Sequence, residues 1–292
     1  MIGKRLGNWV IDKELGRGGM GRVYLGHEEP PVTPGGGRRA ALKVLAAELA
    51  QEPGFLHRFQ REIEVLSRLD HPNIVHFYEA GDQEGCYYYA MEFVEGLTFD
   101  EILQERGRLP WKEVLEVALQ VCGALKHAHN HGIIHRDLKP PNLMRAEAGV
   151  VKLTDFGIAK VFAGKQLTAA GALVGTAEFL SPEQAAGKPV TNRSDLYSFG
   201  VVLYTLLTGR TPFEGPTVLD LLNKHRFAQF DPPRRRVLEI PYELDEVVCN
   251  LLEKDPAARP ANAQVLQRQL ESIRRQLERK EERTFMSARL EA

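Results

Sequence analysis

An α+β fold of two unequal lobes, joined by one linker near Glu92 to Gly96, is what this sequence of 292 residues predicts. Two observations carry that expectation. Short β-prone runs punctuated by glycine, with one helix among them, fill the chain up to the linker. Beyond Gly96 the apolar residues fall at helical spacing instead.

In order, Trp9-Val10-Ile11 opens a strand that runs into Gly16-Arg17-Gly18-Gly19-Met20-Gly21, and Val23-Tyr24-Leu25 resumes as the next strand. Glu28 to Gly37 is rich in proline and glycine and reads as a hairpin loop. Arg39 to Leu45 is a third strand. Phe55, Phe59, Ile63 and Leu66 then recur at spacings of four, four and three, which predicts a helix over Phe55 to Leu69, stopped by His71-Pro72-Asn73. Ile74 to Glu79 and Tyr87 to Phe93 read as two more strands joined by a turn at Gly81 to Gly85, which makes five. Trp111 to Asn130, Leu196 to Thr208 and Leu244 to Glu253 are predicted helices of the second half. In Asn262 to Glu282 the stripe Leu266, Leu270, Ile273 and Leu277 predicts a last helix running out into solvent, with barely two heptads for a coiled coil.

Bulk composition excludes several function classes. Lysine and arginine number 38 against 39 acidic residues, so no overall field points to nucleic acid or an anionic membrane. No apolar run approaches the roughly 18 residues that would span a bilayer, and Met1 to Trp9 lacks a signal-peptide core. The stretch Gly200 to Leu207 reads as a buried helix. Cys86, Cys122 and Cys249 have no zinc spacing and read as reduced, buried thiols of a cytosolic protein.

The chemistry lies in four motifs. Gly16-x-Gly18-x-x-Gly21 lets a backbone turn tightly and bring N–H groups onto phosphate oxygens. A dinucleotide-binding turn shares that spacing but wants a helix straight after it, whereas Arg22-Val23-Tyr24-Leu25 is β-prone, so a hairpin lid over phosphates fits better. Lys43 follows on a strand, and Glu62, at the border of the buried face of the first helix, is the carboxylate that could hold its ammonium. His135-Arg136-Asp137-Leu138-Lys139-Pro140-Pro141-Asn142 and Thr154-Asp155-Phe156-Gly157 are separated by two β-prone runs, so Asp137, Asn142 and Asp155 can converge. A carboxylate near a hydroxyl, with carboxylate and amide oxygens for a hard ion such as Mg²⁺, is what phosphoryl transfer requires.

With Ser181-Pro182-Glu183 following in order, residues 8 to 270 resemble the eukaryotic-like Ser/Thr protein kinases, and Gly18-Gly19-Met20-Gly21 and Gly175 to Gln184 are most similar to the bacterial branch. The resemblance implies a bilobal protein kinase domain over residues 1–270, with an antiparallel five-stranded N-lobe over 1–94, a helical C-lobe over 95–270, and a charged tail over 271–292. It implies ATP and Mg²⁺, or Mn²⁺ in its place, as cofactors. Lys43 would bind the α- and β-phosphates and pair with Glu62; Asp137 would take the proton of the substrate hydroxyl; Lys139 would sit on the γ-phosphate. Asn142 and Asp155 would hold the metal ions. The backbone from Gly16 through Arg17, Gly18, Gly19 and Met20 to Gly21 would cover the phosphates. Val23, Ala41 and Met144 would sandwich the adenine, with Met91 behind it and the backbone of Glu92 and Val94 hydrogen-bonding it. Leu66, Phe77, His135 and Phe156 would form an apolar column, Asp195 would brace the catalytic loop, and Glu183 would pair with Arg259.

Four departures from the family pattern stand out: Pro141 in the catalytic loop, Ser181 in place of alanine, Thr98 where an acidic ribose contact is common, and an insert at Glu28 to Gly37 longer than a tight hairpin needs. The resemblance implies protein substrates with serine or threonine hydroxyls, and a cytoplasmic domain that could belong to a longer membrane protein; homodimerisation stays open. Thr168 is the expected autophosphorylation site, its phosphate meeting Arg136, with Thr176 nearer the substrate groove. A catalytically weak pseudokinase or scaffold is the alternative, but it predicts loss of Lys43, Asp137 or Asp155, and all three are present. A small-molecule kinase would have no use for Gly175 to Glu183.

Overall fold

Six strands, not the expected five, make the first sheet. They are β1 (Arg5–Leu6), β2 (Trp9–Gly18), β3 (Gly21–Glu28), β4 (Arg39–Leu45), β5 (Phe77–Gln83) and β6 (Cys86–Glu92), antiparallel in the order β1-β2-β3-β4-β6-β5. The added strand has two residues, too few to show a period in sequence; it folds back through Gly7, at φ 57°, to pair Leu6 with Trp9. The computed structural model describes residues 1–18, 21–30, 37–51, 53–156 and 177–290, with backbone alone at Glu62 and 284–290.

Alternation along these strands sorts side chains onto two faces. Tyr24, Leu42, Tyr88 and Ala90 join Leu6, Trp9 and Ile11 in a core on one side. Ala41, Lys43, Tyr89 and Met91 alternate with them, so they point the other way, toward the second lobe. The β5–β6 hairpin differs from the expected one. Its first strand starts at Phe77 rather than Ile74 and absorbs Gly81 to Gln83, because the turn needs only Glu84 and Gly85, both at positive φ. Ile74 instead bridges to Leu153 of the other lobe, flanked by hydrogen bonds from Val75 N to Leu153 O and from Leu153 N to Asn73 O.

Between β4 and β5 lie α1 (Ala47–Ala50) and α2 (Phe55–Leu66). Phe55 and Phe59 stack 5.7 Å apart and both meet Tyr87 edge-on, which holds α2 against the sheet.

The second lobe begins with β7 (Gly96–Thr98), α3 (Phe99–Arg106) and α4 (Trp111–Asn130). Val114, Val117, Ala118, Val121, Leu125 and Ala128 are buried along α4, as their spacing predicts. β8 (Leu143–Ala146) and β9 (Val151–Leu153) complete a three-stranded sheet β7-β8-β9. Then come α5 (Pro182–Ala185), α6 (Asn192–Thr208), α7 (Val218–Phe227), α8 (Pro233–Arg236), α9 (Tyr242–Leu251) and α10 (Ala263–Leu290). From Ser194 to Leu207, α6 is buried on all sides. Gly200 lets it approach α9 closely, since a Cβ there would stand 2.7 Å from Leu251 Cβ.

α10 packs Leu266, Leu270 and Ile273 into the core and continues unbroken through residue 270. Past that point it stays on the lobe rather than running free: Leu277 packs against the core, and Glu281 meets Lys112 of α4 at 2.7 Å. Cys122 is buried, but Cys86, at the edge of a hairpin, and Cys249, on the outer side of α9, are only partly so; all three are free thiols. No helix among the described residues is long and apolar enough to cross a membrane.

Candidate active site

Glycine 21 is a steric necessity. At φ 139°, a Cβ on it would fall 2.0 Å from the Val44 carbonyl oxygen, so only glycine lets β3 lie this close to β4. Gly16 pairs with Val23, Arg17 with Arg22, and Gly18 with Gly21, which makes the expected lid a β-hairpin. Its tip, Gly19 and Met20, lies outside the described residues.

Under the lid, register does the positioning. Val23 stands opposite Lys43, Lys43 opposite Tyr89, and Ala41 opposite Met91, so these groups share the cleft face of the sheet. The Glu92 carboxylate is engaged away from the cleft: Lys152 meets it at 2.8 Å and the backbone N–H of His76 at 3.0 Å. What Glu92 can offer a base is therefore backbone. Met144, on β8, pairs with Thr98, the N-cap of α3. The Thr98 hydroxyl accepts from Glu101 N, and the Thr98 hydroxyl and backbone N–H both donate to the Glu101 carboxylate, a capping box at the position where the family commonly has an acidic ribose contact.

Across the cleft, Asp195 organises the catalytic loop. Its two carboxylate oxygens each accept a 2.8 Å hydrogen bond, from the backbone N–H groups of His135 and Arg136, and His129 Nε2 lies 2.9 Å away. These bonds hold Arg136 at φ 66°, a conformation uncommon for a residue with a side chain. His129 stands in no motif that would single it out in the sequence.

The residues that follow converge. Lys139 Nζ lies 3.1 Å from Asp137 Oδ2. The Asn142 amide nitrogen donates to the Asp137 carbonyl at 2.7 Å and to its Oδ2 at 3.2 Å, which leaves the Asn142 amide oxygen as the group it can give a cation. Thr154 N donates to the Asn142 carbonyl at 3.0 Å, bringing Asp155 beside Asn142. Pro141 costs this loop nothing: it lies in a single 3-10 turn, Pro140–Asn142, closed by Asn142 N to Lys139 O.

Asp155, at φ 54°, also holds Lys43: Nζ to Oδ1 is 2.7 Å. Burial alone would push the Lys43 ammonium down, but the Asp155 carboxylate and the Tyr89 oxygen outweigh it and hold the pKa above the ordinary lysine value. Glu62, the expected partner of Lys43, has its side chain outside the described residues. Phe156 is buried against His135 with ring centroids 4.6 Å apart, and with Leu66 and Phe77 it lines one small cavity. Met91 closes the same cavity and accepts a long contact from Thr154 Oγ1. Gly157, Thr168, Gly175 and Thr176 lie outside the described residues.

The donor set fits Mg²⁺. Asp155 supplies a carboxylate and Asn142 an amide oxygen, both hard ligands. Among the described residues no group of three or more His, Cys, Asp or Glu side chains could hold a metal alone. An ion here would keep waters and take substrate oxygens, as Mg²⁺ does at phosphate sites.

Farther from the cleft, Glu183 receives Arg259 in a two-pronged contact of 2.8 and 3.0 Å, and Ser194 Oγ donates to it at 2.6 Å.

A glycine hairpin over a cleft, a lysine on its roof, and an aspartate, asparagine and second aspartate on its floor define a two-lobed kinase domain. The family model for the protein kinase domain matches residues 9–270, and the chain belongs to that family. It is similar to serine/threonine-protein kinase PrkC of Bacillus subtilis, at 38% identity over 90% of this chain and 40% of PrkC. It is also 41% identical to serine/threonine-protein kinase PknB of Mycolicibacterium smegmatis over 85% of this chain and 40% of PknB. The chain thus spans about 40% of the length of these curated relatives. Among solved structures, the Mycobacterium tuberculosis PknI kinase domain superposes with a TM-score of 0.73 and 29% identity, covering 93% of this chain and 98% of that one.

Proposed function

We propose that this chain transfers the γ-phosphoryl group of ATP to serine or threonine hydroxyls of proteins. The observation that carries the reading is the convergence of Asp137, Lys139, Asn142 and Asp155 on one floor below the glycine hairpin. Asp137 orients the incoming hydroxyl and receives its proton. Lys139, two residues on and already 3.1 Å from that carboxylate, is within reach of a phosphoryl group arriving there and offsets its charge. Lys43 turns its ammonium to the α- and β-phosphates. Asn142 and Asp155 hold Mg²⁺, which when bound neutralises charge on the phosphate oxygens. Ala41, Val23, Met144 and Met91 form the apolar walls for the base, and the backbone of Glu92 and Val94 its polar edge. Protein substrates are supported by the names of the relatives and by the sequence running from Gly175 to Glu183. Presence of every catalytic group argues against a scaffold.

Incubation with Mg-ATP and a generic basic protein, beside Asp137→Asn, tests this. Loss of a positioned base slows transfer by about 10²- to 10⁴-fold. Equal phosphate incorporation by the two proteins would overturn the assignment of Asp137, and incorporation by neither would favour the scaffold.

A further inference from the structure

Glu92 ends β6 at the start of the linker, and its side chain reaches both lobes. Its N–H donates to the His76 carbonyl at 2.7 Å, and the His76 N–H returns a bond to Glu92 Oε2 at 3.0 Å. The Lys152 ammonium stands 2.8 Å from each of the two carboxylate oxygens. Lys152 belongs to β9 of the second lobe, opposite Met144 in register and three residues before Asp155. The two side chains are 16% and 26% exposed, so the pair is only partly screened by water and salt.

The segment before β5 is laced to the same strand. Val75 N donates to the Leu153 carbonyl and Leu153 N to the Asn73 carbonyl, while the Asn73 side-chain amide donates to the Val151 carbonyl at 2.8 Å. The Glu92 carboxylate extends this lacing to the linker, since it takes Lys152 on one side and the His76 N–H on the other. It therefore joins the residue whose backbone edges the base to the strand that delivers Asp155.

We propose that Lys152 is a positioning residue: through Glu92 it fixes the base-binding linker at a set distance from Asp155, so that a nucleotide held at its base presents its phosphates to the metal site. This rests on the backbone of Glu92 and Val94 meeting adenine and on Asp155 holding the metal. A ligand that touches both ends feels the loss of this tie, and one that touches the linker end alone does not. A misplacement of about 1 Å can cost about 10²-fold. The lacing of residues 73–75 to β9 limits the displacement here, so the loss should be smaller.

Lys152→Met keeps the length of the side chain and removes its charge. Calorimetric titration should show Mg-ADP bound about 3- to 10-fold more weakly, with adenosine within about twofold of wild type. In turnover, KM for ATP should rise by a similar factor and kcat should fall. Lys152→Arg, whose guanidinium can serve both carboxylate oxygens, should restore the wild-type ratio of Mg-ADP to adenosine affinity. A pair that serves stability alone would lower the melting temperature and leave that ratio unmoved, and this result would overturn the tie. A rise in kcat would do so too, as would equal weakening for adenosine. Glu92→Gln keeps the backbone and an acceptor for the His76 N–H, and it carries the same titrations if the methionine variant does not fold. Asp155→Asn separates the tie from the reading beneath it. If it leaves the affinity ratio unchanged, the metal contact is wrong and the tie falls with it; if it lowers the ratio while Lys152→Met is silent, only the tie is wrong.

Discussion

Two short ion pairs among the described residues, one in each region of the molecule, are built differently. In the large lobe, Arg259 spends all five of its N–H donors: two on Glu183, and one each on the backbone carbonyls of Glu253, Arg193 and Lys254, with its side chain 0% exposed. In the cleft, Lys43 meets Asp155 through a single bond of 2.7 Å, with side-chain exposures of 13% for the lysine and 28% for the aspartate. The guanidinium is a rigid fork fixed to the backbone of three residues, whereas the ammonium is a point charge on a flexible stem held only by side chains. The first pair cannot exchange partners without stranding several buried carbonyls; the second can. Short distance and burial do not separate a structural ion pair from a functional one, but the identity of the remaining partners does.

Arg259→Met should test the locked pair most severely. It strands a buried Glu183 carboxylate and three carbonyls, and breaking such a pair from one side costs about 3–5 kcal/mol. Chemical denaturation should show that loss. Lys43→Met gives the opposite profile. It should change stability by no more than about 1 kcal/mol, because Asp155 is open enough to be hydrated. Phosphoryl transfer should nonetheless fall by about 10²- to 10³-fold, the scale of losing one charge-stabilising group. If the two variants lose stability equally, the distinction between the pairs fails.

The same contrast extends to acid. Burial alone would raise the Glu183 carboxyl, but the Arg259 and Ser194 hydrogen bonds hold its pKa below the ordinary 4.5. A carboxylate whose folded pKa is depressed stabilises the fold above its unfolded value and loses that contribution as pH falls through the folded one. Wild-type stability should therefore drop below about pH 4.5 with a component that Arg259→Met lacks. Parallel curves for the two proteins over pH 3 to 5, measured by thermal melting, would show that Glu183 draws nothing from Arg259.

Most of this design was readable from sequence, and the unread part has separate physical causes. Motifs such as His135-Arg136-Asp137 and Asp155-Phe156 announce themselves because chemistry demands several residue types at short spacing. Long helices such as α4 were legible because twenty residues sample the apolar period many times. β1, with two residues, samples it once, and β5 was shifted because a two-residue turn at Glu84-Gly85 lets glycine-containing sequence stay in the strand. Tyr89 was invisible for another reason. In a run of three tyrosines nothing local says which one faces the cleft, and only pairing with Lys43 across the sheet decides it. His129 likewise matters only through Asp195, a residue far along the chain.

Thr98 offers the smallest and most pointed test, because it lies just past the linker, near the cleft like Lys43, yet is wired like Arg259. Its hydroxyl is tied to Glu101 in both directions, and the Glu101 carboxyl is held below the ordinary carboxylate range by the Thr98 backbone N–H first and by the hydroxyl second. If wiring rather than location decides role, Thr98→Ala removes a helix cap and should cost about 1 kcal/mol of stability. KM for ATP should stay within about twofold of wild type, since the hydroxyl was never free for a ribose. A several-fold rise in KM with unchanged stability would invert the assignment, making Thr98 a ligand contact whose bond to Glu101 yields when nucleotide binds.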